Sequence, residues 1–336
     1  MAFVADRMEM VTLVPNDDGL WREVGEDTTG EGSFRLCDNF VDNGACNWAV
    51  PADQPVSRCG SCRLTHTIPD LSVPGNREAW GKLETAKRRV VYAILSLHLR
   101  LIDRLQDPQQ GLEFRFLSDS VNGNGDRGRV LTGHDNGVIT INVAEADDVH
   151  RETQRQRHHE PYRTLLGHFR HEIGHYYWDQ LIAGSARVDE FRQLFGDERA
   201  DYQEALKLHY EQAAPVNWEN NFISAYATTH PWEDWAESWA HVMHMVDALE
   251  TAYAVGLSIR PMRRDEPALA IPAMPPLSRV EAFEQLVNEW TSLTYVLNNL
   301  TRGLGLADAY PFVLSPPVVE KLRFVCSSMT GAFGTG

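Results

Sequence analysis

The chain has no apolar run long enough to span a bilayer. The longest, "VVYAILSL" at 90–97, is short and follows Lys87, Arg88 and Arg89. The first residues, "MAFVADRMEMVTLVPNDDGLW", carry neither the basic start nor the unbroken apolar stretch of a signal peptide. Together these absences lead us to expect a soluble, cytoplasmic protein with no membrane partner. Basic residues are also scarce: 31 Lys and Arg stand against 47 Asp and Glu, a net charge of −16 with histidine neutral. That balance lacks the basic footprint of a general nucleic-acid binder, so nucleic acid is not expected as a partner. Cysteine is rare beyond position 62, where only Cys326 occurs; the other four of the five lie between positions 37 and 62. In a reducing compartment such a local cluster points to metal rather than to disulfides.

What is present is enough for a substantial core: 336 residues, 43% of them apolar, suit a large domain plus a small module. Residues 1–33 show no sustained periodicity and contain the polar, glycine-rich "NDDGLWREVGEDTTGEG", which predicts a loose arm. Residues 34–69 hold the cysteines among turn-forming Pro, Gly, Asn and Asp, with too few apolar residues to fold on core burial alone. From 70 to 336 the pattern is helix-rich. Apolar periodicity predicts helices over 74–105, 161–183, 187–195, 198–213, 231–256, 279–302 and 316–329, with Pro161 in the first turn of its helix. Strands are predicted at 112–117 and 137–144, a loop at 118–136 and an exposed charged helix within 145–160. The fold class is therefore α+β, a helix-rich domain behind a small cysteine module, with no internal repeat.

The long helix carries "HFRHEIGH" at 168–175. Within it His171 and His175 stand four apart, one turn apart on one face, where both imidazoles can reach one cation. Glu172 is rotated to a neighbouring position from which it can reach a metal-bound water without ligating the metal, the logic of the zincin motif. Ile173 and Gly174 are the uncharged pair on the side that must pack. The competing reading is a charged helix face that matches by accident. A catalytic zinc usually takes a third protein ligand. A metzincin would need Gly at 178 and His at 181, but Trp178 and Leu181 stand there. The best source is "YATTHPWEDWAESWAHVMH" at 226–244, where Glu233 and Glu237 lie one turn apart beside a stripe of Trp232, Trp235, Ala236, Trp239, Met243 and Val246. Unpaired buried charge is costly, so a zinc explains both acids: Glu233 binds it, and Glu237 accepts the free N–H of a ligating histidine. A solvated acidic face is the plain alternative. His230, His241 and His244 read as surface or supporting residues, His158, His159 and His168 as polar surface, and His134 and Asp135 as turn residues.

Cys37, Cys46, Cys59 and Cys62 are spaced C-x8-C-x12-C-x2-C. Cys59-Gly60-Ser61-Cys62 is an ordinary zinc knuckle, whereas the first pair is wider than a knuckle; His66 could replace one thiol, and zinc and iron are both open. A closed set of four thiolates is a structural site; unligated thiols in a poorly ordered segment are the alternative. Metal there is worth roughly 10 kcal/mol of apparent folding energy, enough to hold a segment without a core.

The order of HExxH, a distant helix with a glutamate ligand and a second acid one turn later resembles the gluzincin metallopeptidases. "YATTHPWEDWAE" is similar to lethal-factor-type toxins in having a tyrosine, here Tyr226, seven residues before the ligand glutamate. The chain from about 34 to 330 resembles more closely the bacterial zinc-binding metallopeptidase family that joins a zinc-ribbon-like segment to a zincin domain. "CNWAVPADQP", "CRLTHTIPDLS", "LTGHDNGVITINVAEAD", "PYRTLLGHFRHEIGHYYWD" and "HPWEDWAESWAH" carry that resemblance. It implies a metallopeptidase, without saying which peptide or protein is the substrate, and a role for Tyr226 as oxyanion donor; the two ligand sets themselves predict two zinc ions, one catalytic and one structural. It also implies that "GVITINVA" is the edge strand to which an extended substrate could add, with a plain core strand as the alternative. Two functions follow: a peptidase with Glu172 as general base, or a catalytically silent zincin-fold module that binds peptide or protein.

Overall fold

Ala2, Val4, Val11, Leu13, Phe34 and Ala49 bury together, with Trp21 and Leu36 packed against them, and the short segments that carry them pair into a sheet. A computed structural model describes residues 1–24, 32–121, 127–128, 130–157, 164–212, 214–263, 265, 269–270 and 280–331. In it Ala2–Val4 (β1), Glu9–Val11 (β2), Leu13–Pro15 (β3), Trp21–Glu23 (β4), Ser33–Leu36 (β5) and Trp48–Pro51 (β6) form one sheet in the order β2-β1-β6-β5-β4-β3. β1 runs parallel to β6, with Phe3 opposite Trp48. The loose arm expected for residues 1–33 is thus corrected, because residues 1–24 supply four of these strands. Each is too short to show a period-2 pattern, and what specifies them is their pairing with distant segments. One-turn helices Asp38–Val41 (α1) and Gly60–Arg63 (α2) flank β6 in the chain.

The chain divides into two compact units, Met1–Gln154 with Thr164–Phe169, and Arg155–Arg163 with Arg170–Gly336. The first unit continues with Thr65–Thr67 (β7) and the helix Asn76–Ser96 (α3). Trp80, Leu83, Val90, Val91 and Ile94 are fully buried along α3, as its periodicity predicts. The helix is shorter than the 74–105 expected: it ends at Leu97, and His98 takes a positive φ of 52° that no helix continues. Its buried Lys87 pairs with Glu84 at 2.8 Å, and the Thr65 hydroxyl donates to Glu84 at 2.7 Å, so neither charge is left alone.

A second sheet follows. Glu113–Leu117 (β8) precedes a small antiparallel pair, Ser120–Val121 (β9) with Arg127–Gly128 (β10), and then come Gly133–Asp135 (β11) and Val138–Asn142 (β12). The order is β11-β12-β8-β7. β12 pairs antiparallel with β11 and parallel with β8. This corrects the expected edge strand, since both its hydrogen-bonding edges are taken and a peptide has no place to add. β11 and β12 turn at Asn136 and Gly137, both at positive φ, a geometry suited to a tight hairpin. A Cβ at Gly137 would lie 2.4 Å from the Gln110 carbonyl oxygen, so only glycine fits. His134 and Asp135 end β11, and His134 Nε2 accepts from Gly137 N at 3.0 Å.

Asp148–Arg157 (α4) is the expected charged helix, and Leu165–Leu181 (α5) carries the histidines. Pro161, His158 and His159 lie outside the described residues. His168 is 3.3 Å from Glu145, and Phe169 packs against Phe114 and Phe116. The second unit adds Val188–Phe195 (α6), Tyr202–Glu211 (α7), Pro231–Ala254 (α8), the pair Ser258–Ile259 (β13) and Leu269–Ala270 (β14), Val280–Gly303 (α9) and Pro316–Gly331 (α10). Its core is aromatic, with Trp235, Trp239 and Phe191 fully buried and Tyr177 stacked on Trp239 at 4.8 Å. Gly174 is where α5 meets α8: a Cβ there would lie 3.0 Å from Ala236 Cα, and Trp235 Nε1 donates to the Gly174 carbonyl at 2.8 Å. The fold is α+β, and among the described residues no helix is long and apolar enough to cross a membrane.

Candidate metal centres

The four N-terminal cysteines come from four backbone positions that their local folds aim at one point. Cys37 immediately precedes α1, Cys46 lies shortly before β6, Cys59 caps α2 and Cys62 lies within it. All four are buried, none is in a disulfide, and their sulfurs lie within 4.8 Å of one another. Backbone amides face the sulfurs: Cys59 N donates to Cys37 Sγ at 3.4 Å, Cys62 N to Cys59 Sγ at 3.5 Å and Trp48 N to Cys46 Sγ at 3.4 Å. Such donors stabilise thiolates, so the donor set fits a tetrahedral thiophilic cation. His66 is exposed, and its ring Nδ1 lies against the Thr67 hydroxyl at 3.1 Å, so it is not part of this group.

In the second unit α5 brings His171 and His175 onto one face, and α8 brings Glu233 opposite them. His171 Nε2 lies 3.2 Å from His175 Nε2 and 2.9 Å from Glu233 Oε2, while His175 Nε2 lies 3.5 Å from Glu233 Oε1. One ligand atom from each of the three lies within 4.8 Å of the others. His171 Nδ1 faces Glu237 Oε1 at 2.7 Å, and the Ser224 hydroxyl donates to Glu237 Oε2 at 2.7 Å. With its proton on Nδ1, His171 turns a lone pair on Nε2 towards Glu233 Oε2, a buried oxygen that accepts no hydrogen bond. Two lone pairs facing at that distance call for a positive charge between them. Burial opposes charge on His171, but the carboxylates of Glu233 and Glu237 outweigh it and raise its proton affinity well above the ordinary. Burial likewise opposes ionisation of Glu233, and His175 and His171 override it, holding the carboxyl well below its usual range. A proton or a divalent cation can supply the charge, and two imidazoles with one carboxylate are a donor set that fits zinc.

Glu172, next to His171 in α5, is nearly buried. Tyr226, in the short turn Tyr226–Thr228, has its ring 5.8 Å from that of His171. Burial, and then the charge of Glu233, raise its phenol well above the usual value, so it stays protonated and able to donate. His230, His241 and His244 do not join the ligands, and His230 and His241 are buried rather than on the surface. His230 caps α8 by accepting from Trp232 N at 3.2 Å. His241 meets the Tyr310 hydroxyl at 2.7 Å, and burial pushes its pKa down to about 4 against the pull of Glu237. His244 Nδ1 faces the Arg170 guanidinium at 2.6 Å, and Arg170 also pairs with Asp247, tying α5 to α8 beside the ligands.

Sequence reasoning missed two residues. Ser224 holds the far oxygen of Glu237, and the Tyr202 hydroxyl donates to Glu233 Oε1 at 2.7 Å. No spacing rule connects Tyr202 to a glutamate on another helix. The only signal was Asp201 ahead of it, an N-cap residue that fixes where α7 begins.

Residues 76–328 match the family model described as "Putative zinc-binding metallo-peptidase", and residues 1–73 match that of a "zinc-ribbon domain". Uncharacterized proteins of Mycobacterium tuberculosis and Mycobacterium bovis are each 44% identical over 296 residues, which is 88% of this chain and 82% of theirs. No solved structure matches. With the family model spanning most of the sequence, on top of a partly buried His/His/Glu group and a buried four-cysteine group, the chain belongs to the family of zinc-binding metallopeptidases.

Proposed function

We propose that the protein is a zinc-dependent peptidase that hydrolyses amide bonds at the His171, His175 and Glu233 centre, and that Cys37, Cys46, Cys59 and Cys62 hold a structural zinc. The observation that carries this reading is the convergence of two imidazoles and a carboxylate on one point, with Glu172 next to His171 in α5 and the Tyr226 ring 5.8 Å from that of His171. Zinc bound there supplies a Lewis acid and lowers the pKa of a bound water towards about 7. The Glu172 carboxylate takes the proton of the attacking water and passes it to the leaving amine. Tyr226 keeps its proton and donates a hydrogen bond to the oxyanion of the tetrahedral intermediate. Glu237 fixes the proton of His171 on Nδ1, leaving Nε2 as the ligand atom. A silent binding module needs only the ligands, which would leave Glu172 without a task.

The test is a digest of a peptide mixture read by mass spectrometry, with and without a chelator. Cleavage should vanish on chelation and return with zinc. Tyr226→Phe should keep its zinc and turn over roughly 10²-fold more slowly, the cost of one oxyanion donor. Full activity in Tyr226→Phe would remove Tyr226 from the chemistry. In the same preparations Glu233→Ala should lose the zinc at this centre, and Glu237→Ala should bind it about 10–100-fold more weakly. The reverse order would exchange the roles of the two acids.

A further inference from the structure

α7 buries none of its residues completely, yet its first residue reaches the centre. Asp201 caps the helix by accepting from Glu204 N at 3.0 Å, which fixes the backbone from which Tyr202 projects. The Tyr202 ring lies edge-on to His230 at 5.3 Å and against Trp232 at 6.0 Å. His230 in turn bridges the two segments: Nδ1 accepts from Trp232 N, and Nε2 donates to the Ala200 carbonyl at 3.1 Å, two residues before Tyr202. The His230 and Trp232 rings thus hold the phenol, and its hydroxyl donates to Glu233 Oε1 at 2.7 Å.

This bond makes the two oxygens of Glu233 unequal. Oε1 accepts from the phenol at 2.7 Å and lies 3.5 Å from His175 Nε2, whereas Oε2 has no hydroxyl on it and lies closer to its histidine, 2.9 Å from His171 Nε2. A free carboxylate can offer a cation one oxygen or both. We infer that Tyr202 is a positioning residue whose hydroxyl holds Glu233 Oε1, so that the carboxylate offers a metal Oε2 alone and a coordination position is kept for water or substrate. This inference rests on the His171, His175 and Glu233 centre being a metal site.

Tyr202→Phe keeps the ring and its packing and removes only the hydroxyl. Zinc affinity, measured by competition with a chelator, should fall about 10–100-fold, as for other residues that orient a ligand. With Co2+ in place of zinc, the visible absorption of the centre should weaken in Tyr202→Phe, because a second carboxylate oxygen raises the coordination number. The spectrum of Glu233→Ala, subtracted from each, isolates this centre from the cysteine site. Repacking of α7 alone would leave that spectrum unmoved. Unchanged zinc affinity and an unchanged cobalt spectrum in Tyr202→Phe overturn the inference and leave the metal centre standing. A wild-type protein that binds no more metal than Glu233→Ala overturns both.

Discussion

Glu172→Gln is expected to keep its fold and its full zinc content while amide hydrolysis falls by at least about 10²–10⁴-fold, the range for loss of a general base. Glutamine has nearly the same shape and hydrogen-bonding reach, so α5 should pack as before, with Ile173 buried and Gly174 against α8. In the proposed mechanism Glu172 contacts the water rather than the metal, so removing its charge should not release zinc. What glutamine lacks is the ability to accept a proton at neutral pH, and the water is then not activated. Elemental analysis alongside the peptide digest reads both halves of this expectation. Identical digests from zinc-loaded wild type and Glu172→Gln would withdraw support from the peptidase reading. If both forms also retained a bound peptide, the silent binding module would take its place.

Cys59→Ser is expected to be at least as disruptive, but to stability. Cys59 caps α2, accepts from Cys62 N, donates its own amide to Cys37 Sγ and places its sulfur 3.7 Å from that of Cys46. Serine can keep the cap, but its hydroxyl is a poor ligand for a thiophilic cation. Structural zinc in such a set contributes about 10 kcal/mol or more of apparent folding free energy. We therefore expect zinc content to fall from two equivalents to one, and the remaining cysteines of the cluster to become reactive towards a thiol reagent that leaves them untouched in the wild type. An unchanged zinc count in Cys59→Ser would remove the cysteine site.

What the sequence revealed of the centre was local in character. His171 and His175 are separated by one helical turn, as are Glu233 and Glu237, and a helix converts those spacings into shared faces without further information. The helices themselves were equally readable, because long amphipathic repeats such as α8 and α9 hold many residues in phase; the observed Pro231–Ala254 and Val280–Gly303 differ from expectation only at the ends. The sheets were harder. β1 to β4 are three residues each, and their identity depends on partners such as Trp48 that lie far along the chain. The interior place of β12 was hidden for the same reason, since β11 and β8 pair with it through backbone groups that carry no sequence signature. Tyr202 was invisible because its hydrogen bond to Glu233 joins positions 31 apart through a helix whose own pattern is mostly solvent-facing.

The two candidate centres also differ in when they can form. Cys37 and Cys59 are 22 positions apart, whereas His171 and Glu233 are 62 apart and sit on different helices. Closing the longer loop costs only about 1 kcal/mol more in chain entropy, so length alone hardly separates them. The helices do: a histidine pair on α5 has no third ligand until α8 has docked through Trp235 and Gly174. The cysteines need no such docking and leave the ribosome first, and chains are made at about 5–20 residues per second. Some 171 residues separate Cys62 from Glu233, so the thiolate cluster can be complete about 10–30 s before the histidines and the glutamate are brought together.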